Sequence, residues 1–167
     1  MRTLFLAVIA VLALSGCAES IAPPVVVQDL AAQPQGIRIT GVTAEARPGV
    51  IMTRFDLERI GQLVKAYISS QSPNSLIRAD GSATRVNLVF TQYDKGNAFA
   101  RAMLAGLGQI RIDADVMFVD EATGRILGQY QVSKDFAFGG IYGASTRIED
   151  VEQGFAKSVA EIVRTKA

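Results

Sequence analysis

No histidine occurs anywhere in this 167-residue chain. That excludes the serine–histidine and cysteine–histidine pairs by which most hydrolase nucleophiles are activated. Ser145 and Thr146 therefore have no base of that kind. A Ser–Lys dyad with Lys134 or Lys157 is formally open, but no local motif surrounds it. Tryptophan is also missing, and cysteine occurs once, at Cys17. No disulfide can form within the chain, even in an oxidising compartment. With that thiol spent, no soft metal ligand is left, so neither a metal nor a cofactor is expected. An excess of one charge is lacking too. The 17 Lys and Arg nearly match the 16 Asp and Glu, and no basic block stands out, which argues against nucleic acid as a partner.

The one long apolar run, Leu4 to Ser15, is 12 residues. A spanning helix needs roughly 20. Arg2 precedes the run, and Leu14-Ser15-Gly16-Cys17 ends it. Together these read as a bacterial lipoprotein signal over residues 1–16, with Cys17 as the thiol that receives a diacylglyceryl group. A plain secretory signal cut after Ala18 also satisfies the small-x-small rule, but a Cys directly after Leu-Ser-Gly favours lipidation. Ala18 gives no inner-membrane retention signal. The expected location is the outer membrane, periplasmic face, lipid-anchored and carrying palmitate-type chains. Acylation contributes about 0.8 kcal/mol per buried methylene, so three chains hold firmly.

The mature chain of about 150 residues fits one domain. Residues 17–35, with Pro23-Pro24 and Pro34, read as the lipidated N-terminus and a tether reaching roughly 25 Å. Within it, Val25-Val26-Val27 has the composition of a short edge strand. Residues 36–167 read as a single α+β domain. Gly36 to Ala46 alternates as a first strand, with a bulge at Gly41. Thr53 reads as an N-cap, with Asp56 as its capping-box partner, opening a helix to about Ser70. Leu57, Ile60, Gly61, Val64 and Ile68 form its stripe. Thr84 to Tyr93, Gln109 to Asp120 and Arg125 to Phe138 read as further strands. Ile110, Ile112, Ala114, Val116 and Phe118 face the core of one, and Ile126, Gly128, Tyr130 and Val132 that of the next. Gly124 suits a turn needing positive φ. Thr146, with Glu149, caps a last helix whose stripe is Ile148, Val151, Phe155, Val159 and Ile162. Period-2 alternation implies a sheet with one dry face. The expectation is a two-layer sandwich, a mostly antiparallel sheet of about four strands with two amphipathic helices on one face.

Three stretches are candidates for function. Asp113 and Asp115 share a strand face. A carboxylate pair or Ca²⁺ site is one reading, and a solvated face balanced by Arg111 is the favoured one, because calcium loops need close odd spacings around a central Gly. Gly139-Gly140-Ile141-Tyr142-Gly143 lacks the Lys-Ser/Thr ending of a phosphate loop. It reads as a hairpin-to-helix connection, or as a contact loop presenting Ile141 and Tyr142. In segment 97–108, Phe99, Met103, Leu104 and Leu107 either pack into the domain's own core or form an apolar patch for a partner or the nearby lipid face. Ala102 and Gly106 have a small-x-x-x-small spacing, which carries little meaning outside a membrane.

From Val86 onward the pattern resembles a bacterial family of predicted lipoproteins with a domain of unknown function. The resemblance rests on Arg101, Gly106-x-Gly108, the alternation from Ile110, Val119-Asp120-x-x-Thr123-Gly124 and the Gly-rich stretch before the last helix. It covers about half the chain plus the lipobox and implies no activity. A more distant likeness is to the periplasmic domain of the curli-type secretion lipoprotein. It rests on element order, without that protein's membrane hairpins. The expectation is thus a non-enzymatic interaction or structural module of the envelope, with an envelope protein or itself as partner. The alternative is a small-ligand module with a pocket lined by Phe136, Phe138 and Tyr142. A hydrolase with an unrecognised site is the third reading.

Overall fold

The computed structural model describes residues 22–30, 36–70, 78–103, 108–136 and 145–165. Its elements are β1 (Val25–Gln28), β2 (Ile37–Ala46), α1 (Arg54–Ser70), β3 (Ser82–Asp94), α2 (Ala98–Met103), β4 (Ile110–Asp120), β5 (Ile126–Phe136) and α3 (Ile148–Thr165). The five strands form one sheet in the order β1-β5-β4-β3-β2. All pairings are antiparallel except β2 with β3, which the α1 crossover makes parallel. This is the expected α+β two-layer arrangement, with one strand more than the alternation alone supplied.

The extra strand is β1. The span read as a tether contains it, and the chain then turns back into the core at Leu30, which is buried. The Tyr130 hydroxyl accepts the Leu30 N–H at 2.6 Å and donates to Asp29 Oδ1 at 2.9 Å. Burial, with the Asp29 carboxylate, pushes the Tyr130 phenol up to about 12. Gly128 makes room for this turn. A Cβ there would lie 2.8 Å from Leu30 Cα and 3.0 Å from its Cβ. Gly128→Ala is therefore expected to lever Leu30 and β1 off β5 at a cost of about 1–3 kcal/mol. The check is a lower thermal midpoint with faster proteolysis before residue 30. An unchanged midpoint would contradict this packing.

α1 lies over β2, and α3 over β4 and β5, with the two helices against each other. Thr53 and Asp56 close the expected capping box. The Asp56 N–H donates to Thr53 Oγ1 at 3.1 Å, and the Thr53 N–H donates to Asp56 Oδ2 at 3.0 Å. Ile60, Gly61, Val64 and Ile68 are buried as the stripe requires, and Leu57 is partly so. The α3 cap sits one residue later than the sequence suggested. The Arg147 N–H donates to Asp150 Oδ2 at 2.9 Å, and Glu149 is exposed. The core face of β4 is as expected. On β5, Ile126 is not a core residue but is 36% exposed, while Leu127 is buried. A bulge explains it: Phe118 faces Gly128 and Val119 faces Ile126, so Leu127 is the extra residue and turns inward. The expected bulge at Gly41 is present as a register shift between Ile39 and Gly41.

Candidate functional site

The most concentrated chemistry among the described residues is an ionic cluster joining α1, α3 and the end of β3. Glu152 is fully buried on α3. Arg59 grips it in a fork, Nε to Oε2 at 2.8 Å and Nη2 to Oε1 at 2.6 Å. The Tyr93 hydroxyl donates to Glu152 Oε1 at 2.7 Å. Arg59 Nη2 also reaches Asp56 Oδ1 at 2.8 Å, and Lys95 Nζ lies 3.3 Å from Asp56 Oδ2. Burial alone would raise the Asp56 pKa. The Thr53 hydroxyl and N–H, then Arg59 and Lys95, more than reverse that and hold it well below the usual carboxylate range. Burial and the Glu152 hydrogen bond push the Tyr93 phenol well above its usual value. Two carboxylates meet two cations, and Arg59 and Tyr93 aim their donors at the carboxylates. The arrangement clamps helix to helix and keeps its charges paired.

Sequence reading missed this cluster. Glu152 lies four residues after Ile148 and three before Phe155, squarely on the apolar stripe of α3. A carboxylate on a buried stripe requires a cation across the interface. That need is legible on α3, but periodicity does not name the partner, which is Arg59 on α1.

Of the residues singled out from the sequence, Leu14, Ser15, Gly16 and Cys17 lie outside the described residues. So do Leu104, Leu107, Phe138, Ile141 and Tyr142. Phe99 and Met103 do not pack into the core: they are 75% and 67% exposed. They stand on α2, a helix too short to bury a full stripe, capped by Asn97, whose Oδ1 accepts the Ala100 N–H at 3.0 Å. Asp113 is paired as expected with Arg111, Nε to Oδ2 at 2.8 Å, and accepts from Ser133. Asp115 is drier than a solvated face implies and pairs with Arg47 at 2.6 Å. Among the described residues no group of three or more acidic, His or Cys side chains is placed to hold a metal ion. Lys134 is buried in β5, and the Lys157 Nζ lies over the Tyr67 ring at 5.8 Å.

An open groove of about 270 Å³ runs between β2 and α1, with Val42, Ala44, Leu57 and Gly61 as its floor and Arg54 and Glu58 on its rim. It lies at the β2 edge of the sheet, away from β5, which carries Phe136. Phe136 itself packs against the core.

These features define an α+β sheet-and-helix domain held by packing and a buried ionic clamp. The chain belongs to the family described as a domain of unknown function, DUF4410, whose family model matches residues 25–140. The match begins at the first residue of β1 and stops before α3. It thus extends further toward the N-terminus than the resemblance drawn from Val86. No curated protein matches the sequence. Among solved structures, the PelC dodecamer from Paraburkholderia phytofirmans is similar in fold, with a TM-score of 0.51 at 6% identity over 82% of this chain and 94% of that one. A predicted lipoprotein from Caulobacter crescentus CB15 gives a TM-score of 0.38 at 18% identity, over 75% of this chain and 85% of that one. Protein XCC0632 from Xanthomonas campestris, assigned to DUF330, gives 0.44 at 12% identity, over 86% and 95%. At 6% identity the likeness to PelC is one of fold.

Proposed function

We propose that the protein is a non-enzymatic, lipid-anchored module of the cell envelope, fixed through Cys17 to the periplasmic face of the outer membrane. Its domain associates through an open sheet edge with copies of itself or with another envelope protein. The observation that carries this reading is the outer edge of β1. Val25, Val26 and Val27 are 59%, 54% and 53% exposed in a row, and among the described residues no strand pairs with that edge. An apolar edge strand left open is a template for association. PelC, similar in fold, is a dodecamer, so this layer architecture is compatible with assembly from many copies. The element-order likeness to the curli-type secretion lipoprotein is in keeping with an envelope role. Ligand binding has weaker support. The β2–α1 groove is smaller than the roughly 300–1,000 Å³ of ordinary ligand pockets, and its rim is charged.

The test places a photoreactive residue at Val26 in living cells and measures the mass of the detergent-solubilised protein. A crosslinked adduct or a multi-copy mass supports the reading. A monomeric mass with no adduct overturns association. A Cys17→Ala variant that stays with the membrane fraction overturns the anchor.

A further inference from the structure

Every described large hydrophobic side chain more than 60% exposed lies at one end of the sheet. These are Ile51 (87%), Phe55 (69%), Phe99 (75%) and Met103 (67%). Strand directions show why they share that end. β2 and β3 run in parallel toward it, finishing at Ala46 and Asp94. Ile51 and Phe55 stand at the start of α1, directly after β2, and Phe99 and Met103 on α2, directly after β3. Lys95, between β3 and α2, reaches across to Asp56 in the first turn of α1, which draws the two pairs together.

The same end receives the chain from its N-terminus. β5 finishes there at Phe136, beside the start of β4. β1 is antiparallel to β5, so its first residue, Val25, points that way. Val25 sits opposite Gln131, five residues short of Phe136, which is roughly 17 Å of strand. Eight residue steps lead from Val25 back to Cys17, so their full reach is at most roughly 26–29 Å. The opposite end at Ile126 is also five residues from Gln131, but to present it the chain would have to reverse at Val25, run back along β1 and clear the turn at Asp120–Gly124. A chain that continues in the direction set by β1 therefore meets the bilayer with the Phe55–Phe99 end toward it, and its full reach of roughly 26–29 Å exceeds the roughly 17 Å of strand to be covered.

We infer that Ile51, Phe55, Phe99 and Met103 dock this end of the domain onto the lipid surface, with the apolar side chains entering the headgroup–acyl boundary. The inference rests on Cys17 being lipidated. Arg54 and Lys95 flank the patch, with side chains 91% and 53% exposed, and suit the phosphate level of the headgroups. The anchor and the apolar end then give two attachments, which fix the orientation of the sheet as well as its height.

The chain has no tryptophan, so a single introduced indole reports its own surroundings. Phe55→Trp, Phe99→Trp and, at the far end of β5, Ile126→Trp are made in the full lipidated protein. Each is reconstituted into phosphatidylethanolamine–phosphatidylglycerol vesicles, with or without lipids brominated near the headgroup. Indoles seated about 5–10 Å deep at Phe55 and Phe99 lose roughly half their emission to the brominated lipid, and the Ile126 indole loses none. Equal emission with and without bromine at both sites overturns the docking. A blue shift without bromine quenching shows a protein partner over this end and overturns it equally. Vesicle flotation reads the anchor separately. A protein that floats without quenching retires the docking alone, and one that does not float retires the lipidated reading beneath it.

Discussion

Arg59→Ala is expected to cost about 3–5 kcal/mol of folding stability, because it strands the Glu152 carboxylate in the core. Glu152 is fully buried, and among the described residues its other donor is the Tyr93 hydroxyl. Arg59 also serves Asp56, so its loss leaves two acidic groups with less neutralising charge. The paired change Arg59→Met with Glu152→Met removes both charges together and fills similar space. It is expected to recover most of the loss, since replacing a whole buried pair is often neutral. Urea unfolding of the single and double variants checks this. A single-variant loss under about 1 kcal/mol, the range of an exposed ion pair, would show that water reaches the cluster.

The same cluster contributes to the acid limb of stability. The Asp56 pKa is lowered in the folded state. A carboxylate shifted that way stabilises fully above its unfolded pKa of about 3.9 and loses the contribution as pH falls toward the folded value. Asp56→Asn is therefore expected to be less stable at neutral pH but to lose less on acidification below about pH 4. Parallel acid limbs for the two proteins would contradict the shift.

Phe155→Ala is expected to be the second severe change, at about 3–5 kcal/mol. Phe155 is fully buried on α3, and its ring centroid lies 5.6 Å from that of Phe90 on β3. It is one of the buried side chains by which the last helix meets the sheet. A cavity there has rigid strand on one side, so it collapses poorly, and the cost belongs at the upper part of the range for large-to-small changes. Chemical denaturation gives the loss. A cost near 1 kcal/mol would show that α3 slides inward to fill the space.

Local chemistry made the helices and strands legible. Thr53 and Asp56 are three residues apart and can satisfy each other without help from elsewhere, so the start of α1 follows from sequence. Alternation from Ile110 to Phe118 predicts the dry face of β4, because that strand has neighbours on both sides and one helix layer above. Ile126 and Leu127 exchanged roles because a bulge is a property of a strand pair, and no single strand records it. The α3 cap moved from Thr146 to Arg147: Glu149 and Asp150 are adjacent acidic residues in the first turn, and it is Asp150 that accepts the Arg147 N–H. Phe99 and Met103 have core composition, yet six helical residues beyond the end of a sheet have no layer to bury them.

The sequence by itself determined the α+β class, the start of α1, most of the core face and the exclusion of histidine-dependent chemistry, because each follows from neighbours a few residues apart. Only the tertiary structure decided that β1 joins the sheet, that Glu152 finds Arg59, and that four apolar side chains lie at the end toward which the chain before β1 points. Those facts depend on residues brought together from 34 to 101 positions apart. Periodicity shows that a side chain needs a partner, and chain topology alone chooses which one it meets.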